Sequence, residues 1–128
     1  MRLLLDTHIL IWALGEPKRL PKEVRAALES PANEVMFSAA SIWEIAIKAQ
    51  IWRTNFKVAP AEITQAALDS GLVELPVRAE HGAGVSNLPL LHRDPFDRIL
   101  VAQAMTETCR FVTADAILGG YSELVVIV

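Results

Sequence analysis

Asp6, Glu44, Asp97 and Asp115 are the side chains of this 128-residue sequence whose types and placement could do chemistry. Asp6 follows the apolar run Leu3-Leu4-Leu5, and Asp115 lies just past Phe111-Val112-Thr113. Each acid therefore stands at or beside the tip of a short buried strand. Asp97 falls in the first turn of a helix, and its partners at helical spacing are Leu100, Val101, Ala104 and Met105, which puts it on the buried edge. Glu44 is embedded in the mostly apolar run Ile42 to Ile47, where a carboxylate needs a reason. If the four meet, they repel: two full charges at ~4 Å cost about 4 kcal/mol at an effective dielectric near 20. A hard divalent cation removes that cost, and Mg²⁺ and Mn²⁺ favour oxygen ligands. Such an ion activates water and stabilises charge on a phosphodiester. The pattern suggests metal-assisted phosphodiester hydrolysis with water as the nucleophile.

Each acid also has an ordinary structural role open to it. Asp6 could cap the helix that follows, and Asp97 could serve the helix dipole. Asp94 reads first as a helix cap and second as a ligand. Glu44 could pair with Lys48, four residues on, and Asp115 could be a turn residue. Joint placement, rather than any one residue, points to a site. His8, His81 and His92 show no metal-ligand spacing, and His8 belongs to the first helix. Gly82-Ala83-Gly84 is no phosphate loop, because no strand directly precedes it and no lysine follows in place. Trp12, Trp43 and Trp52 read as core or interface rather than base-stacking platforms. No Ser-His-Asp or Cys-His arrangement can be argued, and a phosphoaspartate enzyme built on Asp6 lacks a second acid close behind it.

The elements that must position these residues alternate. Leu3 to Leu5 is a strand, and Thr7 to Leu14 a helix stopped by Gly15. Pro21 sits at a first helical position, and Lys22 to Glu29 is a surface helix with Val24, Ala27 and Leu28 inward. Glu34 to Ser38 is a strand, then Ser41 caps a helix from Ile42 to Gln50. Ile51 to Ala59 is irregular, with Trp52 and Phe56 as packing residues. Pro60 to Ser70 is a helix stopped by Gly71, and Leu72 to Val77 a strand. Glu80 to Leu91 reads as a broken helix or loop. Asp94 and Pro95 open the clearest helix, which continues from Ile99 to Met105. Phe111 to Thr113 is a strand, Gly119-Gly120 a turn, and Leu124 to Val128 a final strand. Alternation of this kind, with strands apolar throughout, predicts an α/β fold around a parallel sheet.

Composition agrees. The chain is 52% hydrophobic and 21% charged, enough for a real core in one domain. A net charge of −3 argues against a protein that coats nucleic acid by charge alone, though not against a nuclease, where local sign matters more. The single Cys109 gives no disulfide framework and fits a reducing cytosol. Arg2 and the apolar run after it imitate a secretion signal, but Asp6 and His8 interrupt the run and no small-residue cleavage site follows. No apolar stretch approaches the roughly 20 residues of a membrane span.

The runs LLLDTHILIWAL, SAASIWEIAIK, HRDPFDRILVAQA and FVTAD, in this order and spacing, resemble a PIN-domain protein, and more closely a VapC-type toxin of a toxin–antitoxin (VapBC) pair. The resemblance spans essentially residues 1–128 and implies one PIN domain, a three-layer α/β/α fold with a central, mainly parallel sheet. It implies a Mg²⁺-dependent endoribonuclease, with Mn²⁺ as a substitute. It places the family's acids on Asp6, Glu44, Asp97 and Asp115. On that resemblance Asp6 and Asp97 would be the principal metal ligands, and Glu44 and Asp115 would complete the pocket directly or through water. Asp94 matches a further acid, and Thr7, Ser38 and Thr113 match supporting hydroxyl positions. Arg93 and Arg98 flank the acids as candidate contacts to substrate phosphate, with a solvated or salt-bridged role equally open. The implied partners are RNA substrate, a second copy of the chain and a cognate VapB-type antitoxin, with promoter DNA bound only through the antitoxin. The implied location is cytoplasmic. The alternative is a catalytically weak PIN module that mainly binds a protein or RNA partner.

Overall fold

The computed structural model describes residues 1–52 and 59–128, apart from the Trp52 side chain; Phe56 and the expected packing of Trp52 lie outside the described residues. Five strands form one sheet: β1 (Arg2–Leu5), β2 (Glu34–Ser38), β3 (Val73–Leu75), β4 (Arg110–Thr113) and β5 (Val125–Ile127). Their order is β3-β2-β1-β4-β5 and every pairing is parallel. Leu4 of the central strand aligns with Met36 on one side and Phe111 on the other. The chain grows from β1 toward β3, then returns to β4 on the opposite flank. The order thus reverses between β1 and β4, where open α/β sheets bind ligands beyond the strands' carboxyl ends.

Strand side chains alternate, so the sheet builds two cores. Leu4, Met36 and Phe111 face one layer, packed by α6 (Pro95–Glu107) through Leu100, Val101 and Ala104. Leu3, Leu5, Val35, Phe37 and Val112 face the other. That layer holds α1 (Thr7–Gly15) through Ile9 and Leu10, and α4 (Pro60–Asp69) through Ile63 and Ala67. The half-buried Val24, Ala27 and Leu28 of α2 (Lys22–Glu29) join it, as expected. The helix α3 (Ala39–Trp52) serves both layers, with Ala40 in the first and Ile45 in the second. The result is the expected α/β/α arrangement. No helix among the described residues is long and apolar enough to cross a membrane.

Two local details depart from the sequence expectation, at the start of α3 and the end of α1. Ser41 does not cap α3, which starts directly after β2: the Ser38 hydroxyl accepts the Ala40 N–H at 3.0 Å, so the strand's last residue does the capping. Helix α1 runs through Gly15 rather than stopping before it. The 80–91 stretch is one of the two forms expected, a broken helix: a short helix, α5 (Ala79–Gly84), gives way to a 3₁₀ turn, Val85–Asn87. The Arg78 N–H donates to His81 Nδ1 at 2.9 Å, and His81 Nε2 meets Glu107 Oε2 at 2.9 Å, which ties α5 to α6. The expected Gly119-Gly120 turn closes a 3₁₀ segment, Ala116–Gly120, opened by Asp115 Oδ1 accepting the Ile117 N–H at 3.0 Å. Gly71 does follow α4 as a stop, with φ of 88°, a conformation an L side chain rarely adopts.

Candidate metal centre

Helices that flank parallel strands run back against them, so the starts of α1, α3 and α6 and the ends of β1 and β4 share one edge of the sheet. Asp6 is the N-cap of α1: its Oδ1 accepts the Thr7 N–H at 2.7 Å. Its Oδ2 accepts the Thr113 hydroxyl, from the end of β4, at 2.6 Å. The cap role and the site role therefore coexist. Glu44, in the second turn of α3, is 3% exposed, which settles that it is no ordinary surface acid. Its Oε1 accepts the Thr7 hydroxyl at 2.6 Å, and its Oε2 is paired with the Lys48 ammonium. With the one proton of Thr7 given to Glu44, Thr7 Oγ1 accepts in turn from the buried Ser41 hydroxyl at 2.9 Å. Asp94 caps α6 through bonds from the Phe96 N–H at 2.8 Å and the Asp97 N–H at 3.4 Å, with Pro95 at the first helical position.

The carboxyl groups of Asp6, Glu44, Asp94, Asp97 and Asp115 line one cavity of about 310 Å³, together with Lys48, Trp12 and His8. All five acids singled out in the sequence are thus brought together. The crowding is written in their proton affinities. Burial, then the fields of Asp6, Asp94, Glu44 and Asp115, push the Asp97 carboxyl up to about 8. Burial also raises Asp6, with Glu44 adding to it, against the Thr113 and Thr7 hydrogen bonds that favour its ionised form. For Lys48, burial acts downward, but the Glu44 hydrogen bond and the fields of Glu44, Asp94 and Asp97 outweigh it and hold the ammonium above its ordinary range.

His92 is the residue that sequence reasoning passed over. Its Nδ1 accepts the Asp94 N–H at 3.0 Å, so the proton of the neutral ring sits on Nε2. That Nε2–H points at Asp115 Oδ2, 3.1 Å away, and lies 3.5 Å from Asp97 Oδ2. The three ligand atoms are close enough to hold an ion. The fixed tautomer nevertheless makes His92 a donor to the acids rather than a nitrogen ligand. The same logic applies to Glu80, His81 and Glu107: His81 accepts at Nδ1 and donates Nε2–H to Glu107, which also binds Arg2 at 3.4 Å. That cluster is a structural tie. The only sequence signal for His92 was its position two residues before the Asp94 cap.

The other named residues divide. Thr7 and Thr113 touch the acids; Ser38 does not. Its hydroxyl donates to Gln103 Oε1 at 2.6 Å, joining β2 to α6 inside the core. The Arg98 guanidinium faces the preceding loop, donating to the carbonyls of Pro89 at 3.0 Å, Val85 at 3.3 Å and His92 at 3.4 Å. It shapes the loop that carries His92. Arg93 is exposed. Trp12 is half-buried on the cavity wall, with the Arg19 guanidinium 4.5 Å above its ring. Trp43 is 62% exposed and rests edge-on against Phe96, centroids 5.1 Å apart, so it is no core residue.

The donor set fits a hard dication. It is all oxygen, it is more negative than its buried setting tolerates, and its carboxylates come from four separate elements aimed at one volume. Soft thiolate ligands are absent from it: Cys109 is buried beneath the sheet's other end, in the hydrophobic core.

No curated protein sequence matches the chain significantly. Solved structures do resemble it. A chain of the VapBC2 complex from Rickettsia felis bound to a promoter DNA fragment superposes with a TM-score of 0.70 at 16% identity, over 100% of this chain and 98% of that one. A chain of a toxin–antitoxin complex from Klebsiella pneumoniae gives 0.62 at 20% identity, over 97% and 95%. A chain of FitAcB from Neisseria gonorrhoeae gives 0.53 at 20%, over 91% and 89%. These likenesses show a shared fold. The family model described as PIN domain matches residues 3–123, nearly the whole sequence including every acid of the cavity, and the chain therefore belongs to the PIN-domain family.

Proposed function

We propose that this PIN domain is a metal-dependent endoribonuclease, the VapC-type toxin of a toxin–antitoxin pair. The observation that carries the reading is the cavity in which Asp6, Glu44, Asp97 and Asp115 converge with a protonation equilibrium displaced as far as that of Asp97. The toxin assignment is supported by the fold shared with chains of toxin–antitoxin complexes.

Asp6 and Asp97 are the carboxylates that would hold the ion, with Glu44, Asp115 and Asp94 completing its surroundings directly or through water. When bound, Mg²⁺ or Mn²⁺ supplies an activated water and neutralises charge developing on the phosphodiester. The chain's own residues set the stage. Thr113 holds Asp6 Oδ2 and, by accepting the Asp115 N–H at 3.1 Å, also fixes the start of the Asp115 turn. Thr7 and Ser41 orient Glu44, and His92 steadies Asp115 beside Asp97. Proposed partners are RNA, a VapB-type antitoxin that also carries the pair to its promoter DNA, and a second copy of the chain, in the cytoplasm.

The test is cleavage of single-stranded RNA by purified protein with Mg²⁺, by the same protein in EDTA, and by Asp6→Asn and Asp97→Asn variants whose folding is checked by circular dichroism. Cleavage that needs the metal and both acids is the expected result. Full cleavage by either folded variant defeats the assignment.

A further inference from the structure

The cavity has one feature its acids do not explain. Among the described residues lining it, Lys48 is the single lysine or arginine, set against five carboxylates. Even with a dication bound, five ionised carboxyl groups leave the cavity net negative, and an RNA phosphate entering it meets repulsion. A positive side chain at the cavity wall would offset that repulsion on the substrate side. Arg98 is turned to the carbonyls of Pro89, Val85 and His92, and Arg93 is not among the lining residues. Lys48 lies one helical turn after Glu44 on α3, with 22% of its side chain exposed, and its ammonium feels Glu44, Asp94 and Asp97 together.

We propose that Lys48 is the side chain that contacts the substrate phosphate, bridging Glu44 and the phosphodiester at the cavity wall. An ammonium has three N–H donors on a flexible stem and can engage a carboxylate and a phosphate oxygen at once. The pairing with Glu44 fixes the stem's direction and keeps the charge in the cavity. This inference rests on the ribonuclease reading above and adds to it the residue that meets the substrate's charge.

The experiment measures kcat and KM for cleavage of single-stranded RNA of mixed sequence in Mg²⁺ at several KCl concentrations. It compares the parent with Lys48→Met, Lys48→Gln and Lys48→Arg, and follows Mn²⁺ binding to each by calorimetry. Loss of one charged contact should raise KM roughly tenfold or more in the Met and Gln variants. It should flatten the dependence of log(kcat/KM) on log[salt] by about 0.7, the value of one phosphate contact on a single strand. Lys48→Arg should restore most of both. A parental salt slope in folded Lys48→Met or Lys48→Gln, with Mn²⁺ bound more tightly, means that Lys48 is only the counter-ion of Glu44 and overturns the inference. A parent that cuts no RNA with Mg²⁺ or Mn²⁺ fails earlier, and the ribonuclease reading then falls together with this one.

Discussion

Asp97→Asn should stabilise the metal-free protein. The carboxyl of Asp97 is pushed up to about 8 in the folded chain, against an ordinary value of 3.8. The sign follows from linkage. Below pH ~4 the group is protonated in both states and contributes nothing. As pH rises, the unfolded chain releases the proton while the folded chain keeps it, so folding is progressively penalised until the pH passes ~8. At pH 7 the gap of roughly three pH units above the unfolded value corresponds to about 4 kcal/mol as a ceiling. Water entering the cavity and screening by salt bring the recoverable part to roughly 1–3 kcal/mol. For a chain of this size that is a rise in Tm of roughly 4–10 °C. Differential scanning calorimetry in EDTA, from pH 4 to pH 9, reads it directly. The parent and Asp97→Asn should coincide near pH 4 and diverge up to about pH 8. Adding Mn²⁺ should raise the parent's Tm by mass action on the folded state, and the variant's by much less. A variant no more stable than the parent at pH 8 in EDTA would refute the electrostatic argument. An equal Mn²⁺-induced shift would refute Asp97 as a ligand.

Two further substitutions probe the supports of the site. Thr113→Val removes the hydroxyl that donates to Asp6 Oδ2 inside the fold, where Asp6 is 6% exposed. A buried acceptor left unsatisfied should cost about 1–3 kcal/mol, seen as a lower urea midpoint with unchanged m-value, and Mn²⁺ affinity should fall because Asp6 is no longer held. His92→Gln should lower activity through Asp115 yet leave the ratio of Mn²⁺ to Mg²⁺ affinity at the parental value, since the ring donates Nε2–H rather than ligating. A selective loss of Mn²⁺ binding in the calorimeter would show that His92 does supply a nitrogen ligand.

Much of the fold was legible because it rests on strong local signals. Leu3 to Leu5, Val35 to Phe37 and Phe111 to Val112 are apolar without alternation, and only a sheet covered on both faces buries such strands fully. Asp94-Pro95 is a start signal that tertiary packing had no reason to override, and α6 begins where it says. What was illegible depends on contacts between distant residues. Ser38 caps α3 only because the strand ends with its hydroxyl facing the next turn, a geometry with no mark in the sequence. The glycines of α5 leave a broken helix and a loop equally open in the sequence, and the helix stands because buried His81 ties Arg78 to Glu107 of α6.

The same distinction separates the acids from their supports. A carboxylate at the tip of an apolar strand, or inside an apolar helix run, violates the burial pattern around it and can be noticed one residue at a time. A supporting hydroxyl violates nothing. Ser38 and Thr113 both end strands and both are buried, yet one bonds Gln103 and the other Asp6. Strand order does not separate them, because β2 and β4 both flank β1, with Phe37 and Val112 each in register with Leu5. What differs is the partner each hydroxyl meets: Thr113 donates to Asp6 Oδ2, whereas Ser38 donates to Gln103 of α6. The contacts offered by the packed helices therefore decide which of two equivalently placed hydroxyls serves the site. His92 follows the same rule: with no abnormal burial or spacing, it becomes part of the site because the loop folded around Arg98 delivers its ring to Asp115. The residues that create the negative charge are thus written locally, and those that organise it are fixed by contacts between residues distant in the sequence.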